Sequence, residues 1–403
     1  MINNFRFFLH TELLCGTHIH KELDTLISKF SQKVLFLIDE NINEHSALLY
    51  LKNSLKSLNI EISSLLLRGT EEPDYDYLDE IAVQARKIPA DLIIAVGGGS
   101  ALDLAKAVSV LITNPGCGLD YRGFDQIKVP GVPLMAIPTT AGTASEVTIN
   151  AVFTNKSEKK KLGINGNYLN AKYAVLDPHF ISSAPKKVMV SSGADAMVHA
   201  LESFVGSNAQ ETNFTFGQRQ NANLVTKVFA KEAFKLLHDN LRFVLDEDPD
   251  LDKLLNIQLG SYFAGISLFN SSSGIASGLS YPLGVHYKIP HGICGGMFLP
   301  SVVRYNIENG YYGYADIYDY TFEQKQDLSP LEKSEFVLKS LEHLFEDLNV
   351  PKSLSEFGVT NKDYDHVVEI TQGLQGAFDQ NPISLDVKDV GKIIDSFLTI
   401  KLL

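Results

Sequence analysis

The stretch Asp91-Leu-Ile-Ile-Ala-Val96-Gly97-Gly98-Gly99-Ser100 decides the fold. Its first six residues form a nearly continuous apolar run, which is typical of a strand buried on both faces of a parallel sheet. Three glycines follow, and residues 101–111 then have the pattern of a helix. A strand, a tight turn and a helix in this order form the unit from which α/β sheets are built.

Similar apolar runs recur in the first half of the chain, at residues 34–38, 61–67 and 133–137. Residues 77–86 have a helical pattern between two of these runs. The alternation predicts a Rossmann-like α/β domain that has a parallel sheet with helices on both faces.

The pattern changes after Asp177-Pro178, and long amphipathic stretches replace the strand signals. They lie at residues 188–204, 221–241 and 334–347. We therefore predict an α/β domain over residues 1–180 and an all-α domain over residues 181–403.

Composition narrows the class of protein. The chain has 403 residues, of which 45% are hydrophobic and 21% charged, and its net charge of -13 disfavours nucleic acid and anionic membranes as partners. Three scattered cysteines argue against a disulfide framework. We see no signal peptide in residues 1–16 and no apolar run of 18 residues, so a cytoplasmic location is expected.

The glycine turn is a candidate phosphate site. Glycines at 97, 98 and 99 let backbone N–H groups approach a ligand closely, and a helix that opens with Ser100 as its cap presents a positive dipole end to a pyrophosphate. Asp103 lies on the same side of this helix as Lys106. The alternative is a strand-to-helix turn without a ligand.

Two further strand ends carry polar residues suited to a dinucleotide. Asp39 closes the run at 34–38, where a carboxylate can bind a ribose hydroxyl and would repel a 2′-phosphate, which favours NAD over NADP. Thr139, Thr140 and Thr143 follow the run at 133–137 and could donate hydrogen bonds to phosphate or ribose. The alternatives are an ordinary turn aspartate and an ordinary polar loop.

Asp195 and His199 are spaced i and i+4 in a predicted helix, which places both side chains on one face. A carboxylate with an imidazole suits Fe(II), Zn(II), Mn(II) or Co(II). Glu202 falls on the same side as a possible partner of the ligands. The alternative is a surface Asp–His pair without a metal.

Residues 281–292, Tyr-Pro-Leu-Gly-Val-His-Tyr-Lys-Ile-Pro-His-Gly, are rich in glycine and proline, and we expect them to break the helical region. They carry His286 and His291, one of which could complete a metal site. That requires the segment to fold against the helix that carries Asp195.

With these motifs in place, the chain resembles the iron-containing (group III) alcohol dehydrogenase family over nearly its full length. The motifs that carry the resemblance are Gly97-Gly-Gly-Ser100 with Asp103 and Lys106, Pro138-Thr-Thr-Ala-Gly-Thr143-Ala-Ser-Glu146, Leu176-Asp-Pro178, Asp195 with His199, and Pro290-His291-Gly292. Segments near the end, Leu348-Asn-Val-Pro351, Glu356-Phe-Gly-Val359 and Asn381-Pro382, are similar to its C-terminal signatures.

The resemblance implies a dehydroquinate synthase-like architecture, with an α/β domain, an all-helical domain and the active site in the cleft between them. It implies a nicotinamide cofactor, NAD with NADP as the alternative, and Fe(II) or Zn(II) held by Asp195, His199 and His291. It also implies a small alcohol or aldehyde as the substrate and a homodimer.

One departure from the family is informative. The family has a third histidine ligand fourteen residues before the histidine of the Pro-His-Gly motif, and a further active-site histidine four residues after that ligand. These positions are Ser277 and Tyr281 here. Three outcomes follow: Asp195, His199 and His291 hold the metal alone, His286 joins them, or metal is weakly held or absent. The last outcome leaves a metal-free dehydrogenase relative or a non-enzymatic nucleotide-binding protein.

Two expectations concern the reaction itself. Tyr281 or His286 would pass the proton to solvent, and the imidazole has the more suitable unperturbed pKa. Residues 114–116 and 120–125 look similar to members that oxidise the terminal alcohol of 3-deoxy-octulosonate sugars, which suggests a sugar acid as the substrate.

Overall fold

The fold is that of a computed structural model, which describes residues 4–69, 73–158, 160–207, 220–322 and 327–398. The chain forms two compact units. One comprises Phe8–Pro185 and Pro249–Gln258, and the other comprises Met1–Phe7, Lys186–Asp248 and Leu259–Leu403.

Every strand within the described residues belongs to the first unit. The strands are β1 Glu12–Cys15, β2 Lys33–Asp39, β3 Glu61–Leu67, β4 Leu92–Gly97, β5 Gly123–Phe124, β6 Leu134–Pro138, β7 Asn150–Asn155, β8 Lys160–Asn165 and β9 Tyr173–Leu176. Six of them form a fully parallel sheet in the order β1-β9-β6-β4-β2-β3. A second sheet has the order β5-β8-β7, in which β7 and β8 are antiparallel.

The large sheet buries both faces, as its apolar strands predict. On β2, Val34, Phe36 and Ile38 pack into one hydrophobic cluster, whereas Leu35 and Leu37 pack into the other. Successive residues of a strand point to opposite faces, so both faces of this sheet are cores. The predicted α/β class is confirmed.

Four longer helices accompany the sheet: α1 Leu23–Ile27, α2 Ser46–Ser57, α3 Tyr75–Ala85 and α4 Gly99–Thr113. The prediction that Ser100 caps α4 is wrong, because the N-cap is Gly98 and the helix already begins at Gly99. The cap has no side chain, so no side chain closes this end of the helix.

The second unit is helical throughout its described residues, as predicted. Its helices are α5 Lys186–Val205, α6 Leu224–Asn240, α7 Leu251–Phe269, which begins among the residues grouped with the first unit, α8 Ile275–Tyr287, α9 His291–Glu308, α10 Ala315–Thr321, α11 Pro330–Asp347, α12 Tyr364–Thr371, α13 Gln375–Phe378 and α14 Gly391–Leu398. None of the helices among the described residues combines the length and apolarity that a membrane crossing requires.

The expected break at residues 281–292 is wrong over most of its length. Tyr281 and His286 both lie in α8, which contains Pro282, and only residues 288–290 separate α8 from α9. A proline inside a helix costs a hydrogen bond, but α8 buries Ile275, Leu279 and Leu283 along one face. Burial of this face outweighs the local signal of the proline.

Hydrogen bonds from α4 fix the loop that follows β6. Lys106, which is 1% exposed, donates through Nζ to the Ser145 carbonyl at 3.0 Å and to Thr148 Oγ1 at 3.1 Å, and it pairs with Asp103 at 2.9 Å. Asp103 in turn accepts hydrogen bonds from Ser145 Oγ and the Val152 amide. This buried polar network fixes the position of the loop that carries Thr139 to Thr143.

Glu146, in the same loop, makes stability depend on pH. Burial raises its pKa to about 7, against the opposing effects of its own amide and of Lys106. The Glu146 carboxyl loses its proton near pH 4.3 in the unfolded state but only near pH 7 in the folded state. The free energy of unfolding therefore decreases as the pH rises from about 4.3 to about 7. Glu146→Gln mimics the protonated form and removes the dependence.

We compare the unfolding midpoint of Glu146→Gln with that of the unmodified protein by thermal denaturation. The difference, variant minus unmodified protein, should be about 4–8 °C higher at pH 8 than at pH 5.5. Glu80→Gln, which alters an exposed carboxylate paired with Arg68, is the matched control and should show no such trend. An equal difference for Glu146→Gln at both pH values would contradict the prediction.

Candidate functional site

The first group of predicted site residues meets at the carboxyl edge of the large sheet. Asp39, Gly97 and Thr139 lie at or just beyond the ends of β2, β4 and β6, which are neighbours in the sheet. The Thr139 amide donates to the Gly97 carbonyl at 3.0 Å. The parallel topology thus brings together three motifs that are far apart in sequence.

The glycine turn is in close contact with the predicted residues around it. A Cβ atom at residue 97 would lie 3.1 Å from the Cβ of Asp39, and one at residue 98 would lie 3.5 Å from the Thr140 side chain. At residue 99 it would be only 2.5 Å from Thr143 Oγ1, so glycine is required there. Asp39, the glycine turn, Thr140 and Thr143 therefore form one continuous surface.

This surface fits a dinucleotide. The first turn of α4 has no side-chain cap, so its N–H groups and its dipole are free to bind an anion. Asp39 is half-buried, and its Oδ1 accepts hydrogen bonds from the amide and the side chain of Asn41, both at 3.0 Å. These bonds fix the carboxylate beside the turn, where a ribose hydroxyl would bind.

The remaining predicted cofactor residues occupy different environments. Ser100 is exposed in the first turn of α4, and Thr139 is buried beneath the edge. The carboxylate of Asp103 bonds inward to Lys106, Ser145 and Val152. Its contacts are those of a residue that positions the loop.

The second group of predicted residues lies on the helices of the second unit. Asp195 and His199 occur one turn apart on α5, as predicted, and their exposed fractions are 5% and 7%. The alternative of a surface pair is excluded by this burial. His291 is the first residue of α9.

Gly292 permits α9 to approach α5. A Cβ atom at residue 292 would collide with the Ser191 carbonyl oxygen and would lie 2.9 Å from the Cβ of Asp195. Only glycine allows this contact, and the contact places the neighbouring His291 beside Asp195.

Asp195, His199 and His291 each offer a ligand atom, and these atoms all lie within 4.8 Å of one another. Asp195 Oδ1 is 3.5 Å from His199 Nε2 and 3.7 Å from His291 Nε2, which is too long for a good hydrogen bond. Two ligand atoms at about 2.1 Å from one cation, at a tetrahedral angle, are about 3.5 Å apart. The spacing thus fits metal ligands better than it fits a hydrogen-bonded network.

In both His199 and His291, Nε2 is the ring nitrogen that faces Asp195. The donor set of two imidazoles and a carboxylate suits Fe(II) or Zn(II).

The two residues predicted to move the proton lie in different places. Tyr281 is 40% exposed, and its ring packs edge-on against that of His291 with the centroids 4.9 Å apart. His286 is exposed and packs against His366, with the ring centroids 5.2 Å apart. Tyr281 therefore touches the candidate metal site, whereas the ring of His286 packs against a residue of α12.

Glu202 has a role that its spacing in the sequence only partly suggested. It lies three residues after His199 on α5, and its carboxylate accepts hydrogen bonds from the amides of Gly274, Ala276 and Ser277 at 2.8, 2.7 and 3.2 Å. Burial raises its pKa against the opposing effect of these donors. Glu202 thereby fixes the start of α8, which carries Ser277 and Tyr281, against the helix that carries Asp195 and His199.

Comparison with known proteins identifies the family. Residues 10–178 match the family described as iron-containing alcohol dehydrogenase, and residues 189–398 match the C-terminal part of the Fe-containing alcohol dehydrogenase family. These two matches follow the order of the motifs.

Individual relatives agree over most of the chain. The NAD-dependent methanol dehydrogenase of Bacillus methanolicus is 26% identical, over 97% of this chain and 99% of its own length. Long-chain-alcohol dehydrogenase 1 of Geobacillus thermodenitrificans is 31% identical, over 81% of this chain and 79% of its own.

Solved structures show the same likeness. A 1,3-propanediol oxidoreductase superposes with a TM-score of 0.87 at 26% identity, covering 98% of this chain and 99% of that one. An alcohol dehydrogenase from Oenococcus oeni has a TM-score of 0.87 at 25% identity, covering 98% and 100%. The resemblance inferred from the motifs is confirmed: the chain belongs to the iron-containing alcohol dehydrogenase family and is an oxidoreductase that acts on CH–OH groups.

Proposed function

We propose that this protein interconverts a small primary alcohol and its aldehyde with NAD, at a metal site formed by Asp195, His199 and His291. The observation that carries the proposal is the convergence of the buried Asp195 and His199 with the partly exposed His291 at distances suited to metal ligands. Fe(II) and Zn(II) are the metals that suit this donor set.

The groups bound by the protein supply the reactive chemistry. When bound, a divalent metal would supply Lewis-acid chemistry to the substrate oxygen, and a nicotinamide would accept or donate the hydride. Asp195, His199 and His291 would hold the metal, and the single negative charge of Asp195 would leave a net positive charge at the site. The burial of Asp195 and His199 limits competing water and strengthens electrostatic interactions, whereas the partly exposed His291 lies on the solvent side.

Of the two proton-transfer candidates, Tyr281 is favoured over His286. Its ring is in contact with His291, and its partial exposure gives the phenol a route to solvent. The three-ligand arrangement is likewise favoured over one that includes His286, which packs beside His366.

The cofactor would lie across Asp39, the glycine turn and the threonine loop. Gly97, Gly98 and Gly99, with the first turn of α4 and Ser100, would bind the pyrophosphate, and Thr140 and Thr143 lie beside them. Thr139 and Asp103 would support this surface from beneath. The carboxylate of Asp39 favours NAD over NADP.

The substrate is best described as a simple alcohol or diol. Two of the relatives compared are named for methanol and for long-chain alcohols, and neither is named for a sugar acid. The residues that suggested a sugar acid have structural contacts: the Asn114 side chain donates to the carbonyls of Val110 and Val129, and Asp120 accepts from the Cys117 amide. We therefore do not retain the sugar-acid proposal. A cytoplasmic homodimer remains our proposal for location and assembly.

The metal site is tested by Asp195→Asn, which keeps the size of the side chain and removes its charge. We expect the variant to lose one equivalent of bound metal per chain and more than about 100-fold in kcat with a short alcohol and NAD. Metal content is measured by elemental analysis, and turnover by the absorbance of NADH.

Glu202→Gln is the matched control, because it alters another buried carboxylate about two turns along the same helix. It should lower the unfolding midpoint but keep the metal. Full metal content and turnover in Asp195→Asn would refute the site. An unmodified protein that binds NAD but no metal would instead support the metal-free alternative.

The cofactor site is tested by Asp39→Asn, which removes the charge and retains an acceptor for Asn41. We expect the ratio of kcat/KM for NADP to that for NAD to rise about tenfold, because repulsion of the 2′-phosphate is relieved. Glu40→Gln removes the adjacent carboxylate, which accepts from the Gly69 amide, and should leave the ratio unchanged. Equal ratios in all three proteins would place the ribose elsewhere.

A further inference from the structure

A cluster of histidines surrounds one buried aspartate in the first unit, and the dehydrogenase reaction makes no use of it. His18 and His20 follow β1, Asp177 and His179 follow β9, and β1 and β9 are paired in the sheet. The ligand atoms of His20, Asp177 and His179 lie within 4.8 Å of one another. This cluster, which also includes His45, is called the histidine cluster below.

The carboxylate at its centre is saturated with hydrogen bonds. Asp177 is fully buried; Oδ2 contacts the amide and Nδ1 of His20 at 3.0 and 2.6 Å, and Oδ1 contacts the amide and Nδ1 of His179 at 3.0 and 2.9 Å. The four donors satisfy both carboxylate oxygens, so the side chain holds the two imidazole rings in fixed orientations.

These contacts determine which ring nitrogens remain available. A carboxylate only accepts, so Nδ1 of both His20 and His179 carries the proton, and the lone pair of each ring lies on Nε2. A carboxylate that binds one nitrogen of a histidine while the other nitrogen binds a metal is a common arrangement in metal sites. Asp177 orients two imidazoles at once in this way.

His18 supplies a third ring at a suitable distance. Its centroid is 4.2 Å from that of His179 and 6.0 Å from that of His20, and the centroids of His20 and His179 are 5.2 Å apart. An imidazole bound through Nε2 has its centroid about 3.2 Å from the cation, so two such rings at tetrahedral angles are about 5 Å apart. The three separations lie on either side of this value, so the rings are close enough together to share one ion after small adjustments of their orientation.

Two other basic groups lie near the cluster. His45 Nδ1 accepts from the Ala47 amide at 3.3 Å, and its ring also bonds the backbone of His179, so it supports the cluster and is not one of the proposed ligands. Lys21 is close enough to His18 to oppose a cation, whereas the buried carboxylate of Asp177 favours one.

We propose that His18, His20 and His179 bind a divalent cation of borderline softness, such as Zn(II), Co(II) or Ni(II), at a second metal site in which Asp177 orients the ligands. Imidazole suits these ions, and three protein nitrogens leave a position for water. The ion would join the chain after β1 to the chain after β9 and so stabilise this end of the sheet. The site does not depend on the proposed catalytic metal, because its residues are different.

The test is a count of Zn(II) bound by the full chain at buffered free Zn(II), in competition with a chromophoric chelator. The unmodified protein should bind two equivalents, and His18→Asn, His179→Asn and Asp195→Asn one each. The double variant His179→Asn with Asp195→Asn should bind none. His18 has φ of 71°, a backbone conformation that asparagine tolerates, so His18→Asn removes a ligand with little strain.

His366→Asn is the control, because it alters an exposed histidine whose ring also packs against another histidine ring. This variant should bind two equivalents of Zn(II), as the unmodified protein does. A second readout is the visible absorption of Co(II), which should decrease by one site's contribution in His179→Asn. Added Zn(II) should also raise the unfolding midpoint of Asp195→Asn but not that of the double variant.

The outcomes separate the two metal sites. If His18→Asn and His179→Asn retain the full count while Asp195→Asn loses one equivalent, the second site is refuted and the catalytic site stands. If Asp195→Asn retains the full count while the histidine variants lose one equivalent, the catalytic site fails and the second site stands. The second site would also be refuted if Zn(II) affinity at that site decreased by less than tenfold in both His18→Asn and His179→Asn.

Discussion

The close contact between α5 and α9 at Gly292 is the constraint on which the candidate metal site depends. A side chain at this position would meet the Ser191 carbonyl and the Asp195 Cβ, so α9 would have to move away and take His291 with it. The i,i+4 spacing on α5 aligns Asp195 with His199, and the missing side chain of Gly292 allows His291, the third proposed ligand, to lie beside them. Glu202 adds a second constraint by binding the first amides of α8.

The cofactor surface follows from a different constraint, the shared direction of the strands. Because all six strands of the large sheet are parallel, Asp39, the glycine turn and the threonine loop end at one edge. The same topology places the loops after β1 and β9 side by side and so creates the histidine cluster. The buried Lys106 and Asp103 then hold the threonine loop against the glycine turn.

Much of this fold could be predicted from the sequence, because long apolar strands and amphipathic helices carry strong periodic signals. The runs at 34–38 and 61–67 correspond to β2 and β3, and the predicted all-helical half is helical in its described residues. The short strand β1 at the sheet edge and the strands β7 and β8 were not predicted, since their polar, partly exposed residues give weak patterns.

The errors have local causes. The N-cap of α4 is Gly98, whereas the sequence predicted Ser100. Residues 275–287 form the helix α8 despite Pro282, because burial of one face stabilises that helix. The proximity of Asp195 and His199 on α5 could be predicted, because a helix fixes the spacing of residues i and i+4. The histidine cluster could not be predicted, because its two short signals, His-Ile-His at 18–20 and Asp-Pro-His at 177–179, lie far apart and only the pairing of β1 with β9 joins them.

Binding of one ion by Asp195, His199 and His291 is tested most directly by a crystal of the Zn(II)-loaded protein. An anomalous difference map at the zinc edge should show a peak about 2.0–2.2 Å from a carboxylate oxygen of Asp195 and from Nε2 of both His199 and His291. A map without a peak among these three side chains, or with the ion bound by His286 in place of one of them, would contradict it.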